Sequence, residues 1–224
     1  MMNGYFITGT DTGCGKTEIT LGLMQQLQNR GQRVLGMKPV ASGATETAEG
    51  LRNQDALRIQ AQGSIPVPYS ELNPYVFEPP IAPHLAAMQA GEKVEIGVIR
   101  THYMSLLAQA DCVIVEGAGG WLAPFSREHS AADLALLLGV PAILVVGLRL
   151  GCINHALLSV ESILASGVRL AGWVANEVEP DMLSRDENIA TLRTAITAPC
   201  LGVVPHIAQP PCARVIAENL TLPL

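Results

Sequence analysis

Aromatic side chains are scarce: Phe, Trp and Tyr together make up 4% of the 224 residues. A chain so poor in rings must build its core from Leu, Ile, Val and Ala, and hydrophobic residues at 49% supply them. Charge is scarce too, at 15%, which with that apolar content excludes general disorder. The formal charge of −6 argues against a nucleic-acid binder that works by bulk electrostatics, though not against a local anion site. No apolar run is long enough to span a membrane. The most apolar one, Leu134 to Leu148, is broken by Gly139 and Pro141 and is shorter than the ~18–20 residues required. Met1 to Thr8 carries no basic segment ahead of its apolar residues, so no secretory leader is expected. The five cysteines contain no Cys-x-x-Cys pair, and an odd, scattered set reads as reduced thiols in the cytoplasm. None of the five histidines has a partner at metal-ligand spacing, so no zinc site is expected.

What the chain does have is alternation. Continuous β-branched runs, Arg33 to Lys38, Cys112 to Glu116, Ala142 to Gly147, Leu170 to Asn176 and Leu201 to Val204, read as buried strands. Stretches of helical spacing lie between them: Thr17 to Asn29, Gln54 to Gln62, Val94 to Ala110, Ala131 to Leu138, Ile153 to Ser166 and Leu183 to Ile196. Ser42 to Arg52 reads as a loop. Ser64 to Pro83, rich in proline, has little regular structure beyond Tyr75 to Phe77. The pattern predicts an α/β fold, a three-layer parallel sheet with helices on both faces, as one domain over residues 1–224.

The stretch GTDTGCGKT, Gly9 to Thr17, follows the first apolar run, Tyr5 to Thr8, and leads into the first helix. It ends like a phosphate-binding loop, but five residues rather than four separate Gly9 from the closing Gly-Lys-Thr, and Thr10 stands where the first glycine belongs. The strand before it and the helix after it are the context such a loop requires. Gly13 and Gly15 let the backbone approach an anion, Lys16 reaches the outer phosphates, and Thr17 offers a hydroxyl for Mg²⁺. The ordinary alternative is a strand-to-helix turn with a helical lysine.

Parallel sheets hold ligands at the carboxyl ends of their strands. There the sequence places Lys38 with Pro39 and Ser42, Glu116 with Gly117, Gly119 and Gly120, and Asn176. A carboxylate that ends a buried strand and is followed by glycines is a site candidate on physical grounds alone. Gly151, Cys152, Ile153 and Asn154 read as a helix start, a natural place for an anion.

Together GTDTGCGKT, MKPVASG (Met37 to Gly43), EGLRNQDA (Glu49 to Ala56), VEGAGGW (Val115 to Trp121), VVGLRLGCINHA (Val145 to Ala156) and GWVAN (Gly172 to Asn176) resemble the dethiobiotin synthetase family. They run in order from residue 9 to 176, and the five-residue loop spacing is usual in that family. The resemblance implies a phosphate-loop NTPase fold and the conversion of 7,8-diaminononanoate, CO₂ and ATP to dethiobiotin, ADP and phosphate. It implies Mg²⁺ held by Thr17, Asp55 and Glu116. ATP would be bound by Gly13, Cys14, Gly15, Lys16, Thr17, Glu18, Asp55, Glu116, Gly117, Ala118 and Gly119, and its base by Asn176, Glu177, Pro205, His206 and Ile207. Substrate would be bound by Thr12 and Ser42, and by Gly151, Cys152, Ile153 and Asn154 reaching across a homodimer with shared active sites. Leu148 and Leu150 are candidates to line its hydrocarbon, with simple packing the stronger reading for each alone. The reaction joins two anions, a carbamate and a triphosphate, so Lys38 and Lys16 are the catalytic candidates.

The chain departs from the family at Gly13, often acidic there, at Cys14, often valine, and near Cys212, where it has no glutamate. Two other readings remain: a related amidoligase, and a partitioning-type ATPase switched by nucleotide. No Cys-His glutaminase pattern is evident for the first. The second usually carries a lysine early in the loop, where this chain has Thr10, Asp11 and Thr12.

Overall fold

The computed structural model describes residues 4–207 and 212–223. In chain order the first half holds β1 (Gly4–Gly9), α1 (Lys16–Asn29), β2 (Val34–Met37), β3 (Val40–Ala41), β4 (Thr45–Thr47), β5 (Gly50–Arg52), α2 (Gln54–Gln62), α3 (Tyr69–Leu72), β6 (Tyr75–Val76), α4 (Pro83–Gln89) and α5 (Ile96–Leu107). The second half holds β7 (Cys112–Gly120), α6 (Ala131–Leu138), β8 (Ala142–Leu148), α7 (Cys152–Ala165), β9 (Leu170–Glu177), α8 (Arg185–Ala195), β10 (Cys200–Val204) and α9 (Ala213–Ala217).

Six strands form the main sheet in the order β10-β9-β8-β1-β7-β2, with every pairing parallel. Side chains alternate along each strand, so each strand feeds two cores. Phe6, Val113, Val115, Leu144 and Val146 join one buried cluster. Tyr5, Ile7, Ile114, Ile143 and Val145 join the other, with Ile19, Leu23 and Leu27 from α1. Both faces are thus covered, which is why the strands read as unbroken apolar runs. Rings are few but central: Trp121 meets Phe6 edge-on, 6.1 Å between centroids. No helix among the described residues is long and apolar enough to cross a membrane.

Several sequence expectations need correction. Ser42 to Arg52 is not all loop, because β4 and β5 pair antiparallel within it. Its residues alternate poorly because the ribbon lies at the surface, half-exposed or fully exposed. Ser64 to Pro83 contains the single turn α3, and its Tyr75–Val76 pairs in parallel with β3. The helix expected over Val94 to Ala110 is shorter, Ile96–Leu107. Helices α4 and α9 carried no sequence signal. The strand expected over Cys112 to Glu116 runs on through the glycines to Gly120.

β1, β7 and β2 are neighbours, so the loop after β1, the end of β7 and the residue after β2 converge at one edge of the sheet. That convergence positions the site.

Candidate active site

The loop after β1 turns on glycine. Gly13 and Gly15 have φ of +76° and +91°, which residues with a side chain rarely adopt. Gly15 caps α1, and a Cβ there would overlap the Asn176 amide. Asn176 Nδ2 donates to the Cys14 carbonyl at 2.9 Å, so part of its amide braces the loop rather than facing a base. Cys14 is fully buried, and that burial pushes its thiol up, against the opposing pull of Lys16. Small size explains its place. The Lys16 ammonium donates to the Asp11 carbonyl at 3.0 Å, inside the loop it must serve.

Glu116 is the hub. It is 1% exposed, and its Oε1 accepts from Thr17 Oγ1 at 2.9 Å and from Lys38 Nζ at 2.5 Å. Asp55 Oδ2 lies 3.4 Å from the same ammonium. Burial alone would lower the Lys38 pKa, but Glu116 and then Asp55 more than offset it, leaving it above the ordinary lysine value. Lys38 is therefore charged at neutral pH. Glu116 Oε2 is buried with no partner. One hydroxyl and two carboxylates, one of them with an unsatisfied oxygen, are the hard donor set that Mg²⁺ takes, so these residues fit that ion.

Lys38 is held from behind. Its carbonyl accepts from Asn73 Nδ2 at 2.6 Å, and the Tyr69 hydroxyl donates to Asn73 Oδ1 at 2.7 Å. The Asn53 N–H donates to that same hydroxyl, while the Asn53 side chain caps α2 and donates to the Ser42 carbonyl at 3.2 Å. One partly buried polar chain thus ties together Lys38, Ser42 and the start of the helix that carries Asp55. Asn73→Ala leaves the Lys38 carbonyl and the Tyr69 hydroxyl without this partner. It should cost ~1–3 kcal/mol of stability and lower kcat on the order of 10-fold, with KM little changed. Thermal melts and steady-state kinetics check this; an unchanged kcat would make the network purely structural.

A cavity of ≈ 640 Å³ opens over these groups. Of the residues named from sequence, Thr12, Gly13, Gly15, Lys16, Thr17, Glu18, Lys38, Ser42, Asp55, Glu116, Ala118 and Gly119 line it. Sequence reasoning missed Asn53, Arg58 and the wall Pro80 to Pro83. Gly117 does not line it: it faces Phe6, where a Cβ would press the ring at 3.0 Å. A second cavity of ≈ 250 Å³ is lined by Asn176, Glu177, Pro205, His206 and Ile207, and shares Gly13 and Glu18 with the first. Glu177 is held by Arg185 at 2.8 Å and accepts from the His206 N–H at 3.3 Å.

The start of α7 stands apart. Gly151 and Asn154 are exposed, Ile153 is half-buried and Cys152 is buried, and none of the four lines either cavity. Leu150 is 95% exposed, whereas Leu148 is core. Arg149 nonetheless links this segment to the loop, lying 3.6 Å from Asp11 and 3.4 Å from the Gly13 carbonyl.

A parallel sheet with a glycine-lysine-threonine loop at its carboxyl edge, opening on a cavity walled by cations and carboxylates, defines a nucleotide-dependent enzyme of the phosphate-loop NTPase class. Solved structures show the same fold. The septum site-determining protein MinD complexed with Mg-ADP from Pyrococcus horikoshii OT3 aligns with a TM-score of 0.56 at 16% identity, covering 98% of this chain and 87% of that one. MinD of Aquifex aeolicus aligns at 0.58 and 14% identity, over 96% and 86%. The AAA domain family model matches residues 3–210. ATP-dependent dethiobiotin synthetase BioD of Cellvibrio japonicus is 52% identical over 205 residues, 92% of this chain and 90% of the relative. That of Pseudomonas paraeruginosa is 50% identical over 100% of this chain and 98% of the relative. The chain belongs to the ATP-dependent dethiobiotin synthetase family, a family of ligases.

Proposed function

We propose that this ATP-dependent ligase makes dethiobiotin in the cytoplasm, where its thiols stay reduced, as one domain over residues 1–224. One amine of 7,8-diaminononanoate adds to CO₂ and loses a proton, giving a carbamate. A carbamate oxygen attacks the γ-phosphorus of ATP, and ADP leaves. The second amine attacks the carbonyl carbon of the resulting mixed anhydride, phosphate departs, and the cyclic urea closes.

The supporting observation is that Thr17 and Lys38 both donate to Glu116, with Asp55 on the same Lys38 ammonium, at the cavity that Lys16 also lines. Two anions must meet there. A charge pair at ~4 Å in a partly screened site is worth ~4 kcal/mol, enough to bias an amine toward its carbamate. Lys38 stabilises the carbamate and the transferring phosphoryl group, and Lys16 holds the outer phosphates. Ser42, beside Lys38, orients the substrate amine or carbamate. Thr17, Asp55 and Glu116 would hold Mg²⁺, which when bound neutralises phosphate charge. The adjoining smaller cavity takes the base, and Gly13 and Glu18 mark the passage between the two.

ADP release with and without diaminononanoate and bicarbonate tests the reading. Release that depends on the diamine is expected. Release indifferent to it would favour a nucleotide-switched ATPase instead.

The site is shared between two copies. Gly151 to Asn154 lie outside both cavities of their own chain, which supports the reading that their helix start serves the carboxylate of a partner's substrate. Sedimentation as a monomer at working concentration would remove this part of the account.

A further inference from the structure

Two charged groups that wall the cavity have no part in the steps above. We propose that Arg58 is a nucleotide-affinity residue acting through Glu18: it neutralises that carboxylate and so keeps the cavity receptive to a polyphosphate. The inference rests on the ATP-binding reading of the cavity.

Glu18 follows Thr17 in the first turn of α1, where unpaired N–H groups and the helix dipole favour an anion. It lines both cavities, so a nucleotide occupying the two passes its carboxylate. A bare carboxylate at that point repels phosphate. Arg58, on α2, meets it with both arms of its fork, Nη1 to Oε1 at 2.6 Å and Nη2 to Oε2 at 2.8 Å. Each carboxylate oxygen thereby has a cationic donor, and the group that Glu18 offers a phosphate is its backbone N–H.

The charge balance shows why this matters. The cavity is lined by Lys16, Lys38 and Arg58 against Glu18, Asp55 and Glu116, three positive and three negative groups. Without Arg58 the wall is one charge negative. The hydrogen bonds that Arg58 donates to Glu18 hold its pKa above its ordinary value; burial opposes them, and the charges of Glu18, Asp55 and Glu116 add to them.

Bracing α1 against α2 does not need the pair. Gln28 and Gln62 already join the two helices, with Gln62 Nε2 donating to Gln28 Oε1 at 2.7 Å. Ile59 of α2 also packs in the cluster that holds Ile19 and Leu23 of α1.

Calorimetric titration of the full chain with Mg-ADP tests the proposal, using the unaltered protein, Arg58→Met, and the double variant Glu18→Gln/Arg58→Met. Arg58→Met should weaken binding about 10-fold at low salt, with the loss shrinking as salt is raised. The double variant should return to within about 3-fold of the unaltered protein, because the repelling carboxylate has gone with its partner. Unchanged binding by Arg58→Met, or a double variant as weak as the single one, overturns the proposal. Failure of the unaltered protein to bind Mg-ADP would overturn the reading of the cavity itself, and that outcome is distinct from the other two.

Discussion

Lys38→Ala should lower turnover by ~10²–10³ while leaving ATP affinity within a few-fold, the range for losing one preorganised charge-stabilising group. Lys38 is assigned to the carbamate and the transferring phosphoryl group, with the ground-state nucleotide left to the loop, so the loss should appear in kcat. The variant also removes the cation from a carboxylate that is 1% exposed. Breaking such a buried pair typically costs about 3–5 kcal/mol, so the melting temperature should fall as well. Kinetics therefore need a temperature at which the variant remains folded. The pH dependence of that stability difference has a definite sign. The Lys38 pKa is raised on folding, so its contribution is fully present below the unfolded value of ~10.4 and is lost as pH rises through the higher folded value. Between pH 7 and 9 the gap between the two proteins should stay level. Full activity in Lys38→Ala would remove the residue from the chemistry.

Lys16→Ala should abolish nucleotide-dependent turnover, by more than ~10³-fold, and weaken nucleotide binding as well. Lys16 supplies the one cationic side chain of Gly9 to Thr17, and its ammonium sits on the Asp11 carbonyl, within the loop that is to wrap the phosphates. The substitution keeps the glycines and the Asn176 brace, so the melt should change little. The two lysine variants then separate by effect: Lys16→Ala loses binding and turnover together, whereas Lys38→Ala loses turnover at nearly constant binding. Measurable turnover by Lys16→Ala would mean that the loop does not hold phosphate.

The parts of the fold legible in sequence were those that follow from local periodicity. CVIVE and AILVVG are unbroken because both their faces are buried, and the Gly-Lys-Thr ending marked where β1 becomes α1. Glu116 stood out as a carboxylate closing such a run. Asp55 did not: it lies in the first turn of a polar helix and is indistinguishable there from a solvated acid, so only the family resemblance pointed to it. Asn73, Tyr69 and Arg58 gave no signal, since their roles come from partners far along the chain. Asn73 meets Lys38 across 35 residues, and Arg58 meets Glu18 across 40. Pairings over that distance have no sequence period. The same holds for Pro80 to Pro83, whose prolines read as irregular chain but form a wall of the cavity. Asn176 reads from the resemblance as a contact for the base, and the structure adds its hydrogen bond to the Cys14 carbonyl, which no spacing rule would reveal.

A crystal structure of the full chain with a non-hydrolysable ATP analogue, Mg²⁺, diaminononanoate and bicarbonate probes the shared-pocket electrostatics most directly. It should place the Lys38 ammonium within hydrogen-bond reach of both a carbamate oxygen and the terminal phosphate, with Lys16 on the outer phosphates. Finding the diamine bound more than a side chain's length from Lys38, while that ammonium stays wholly on Glu116 and Asp55, would contradict the account.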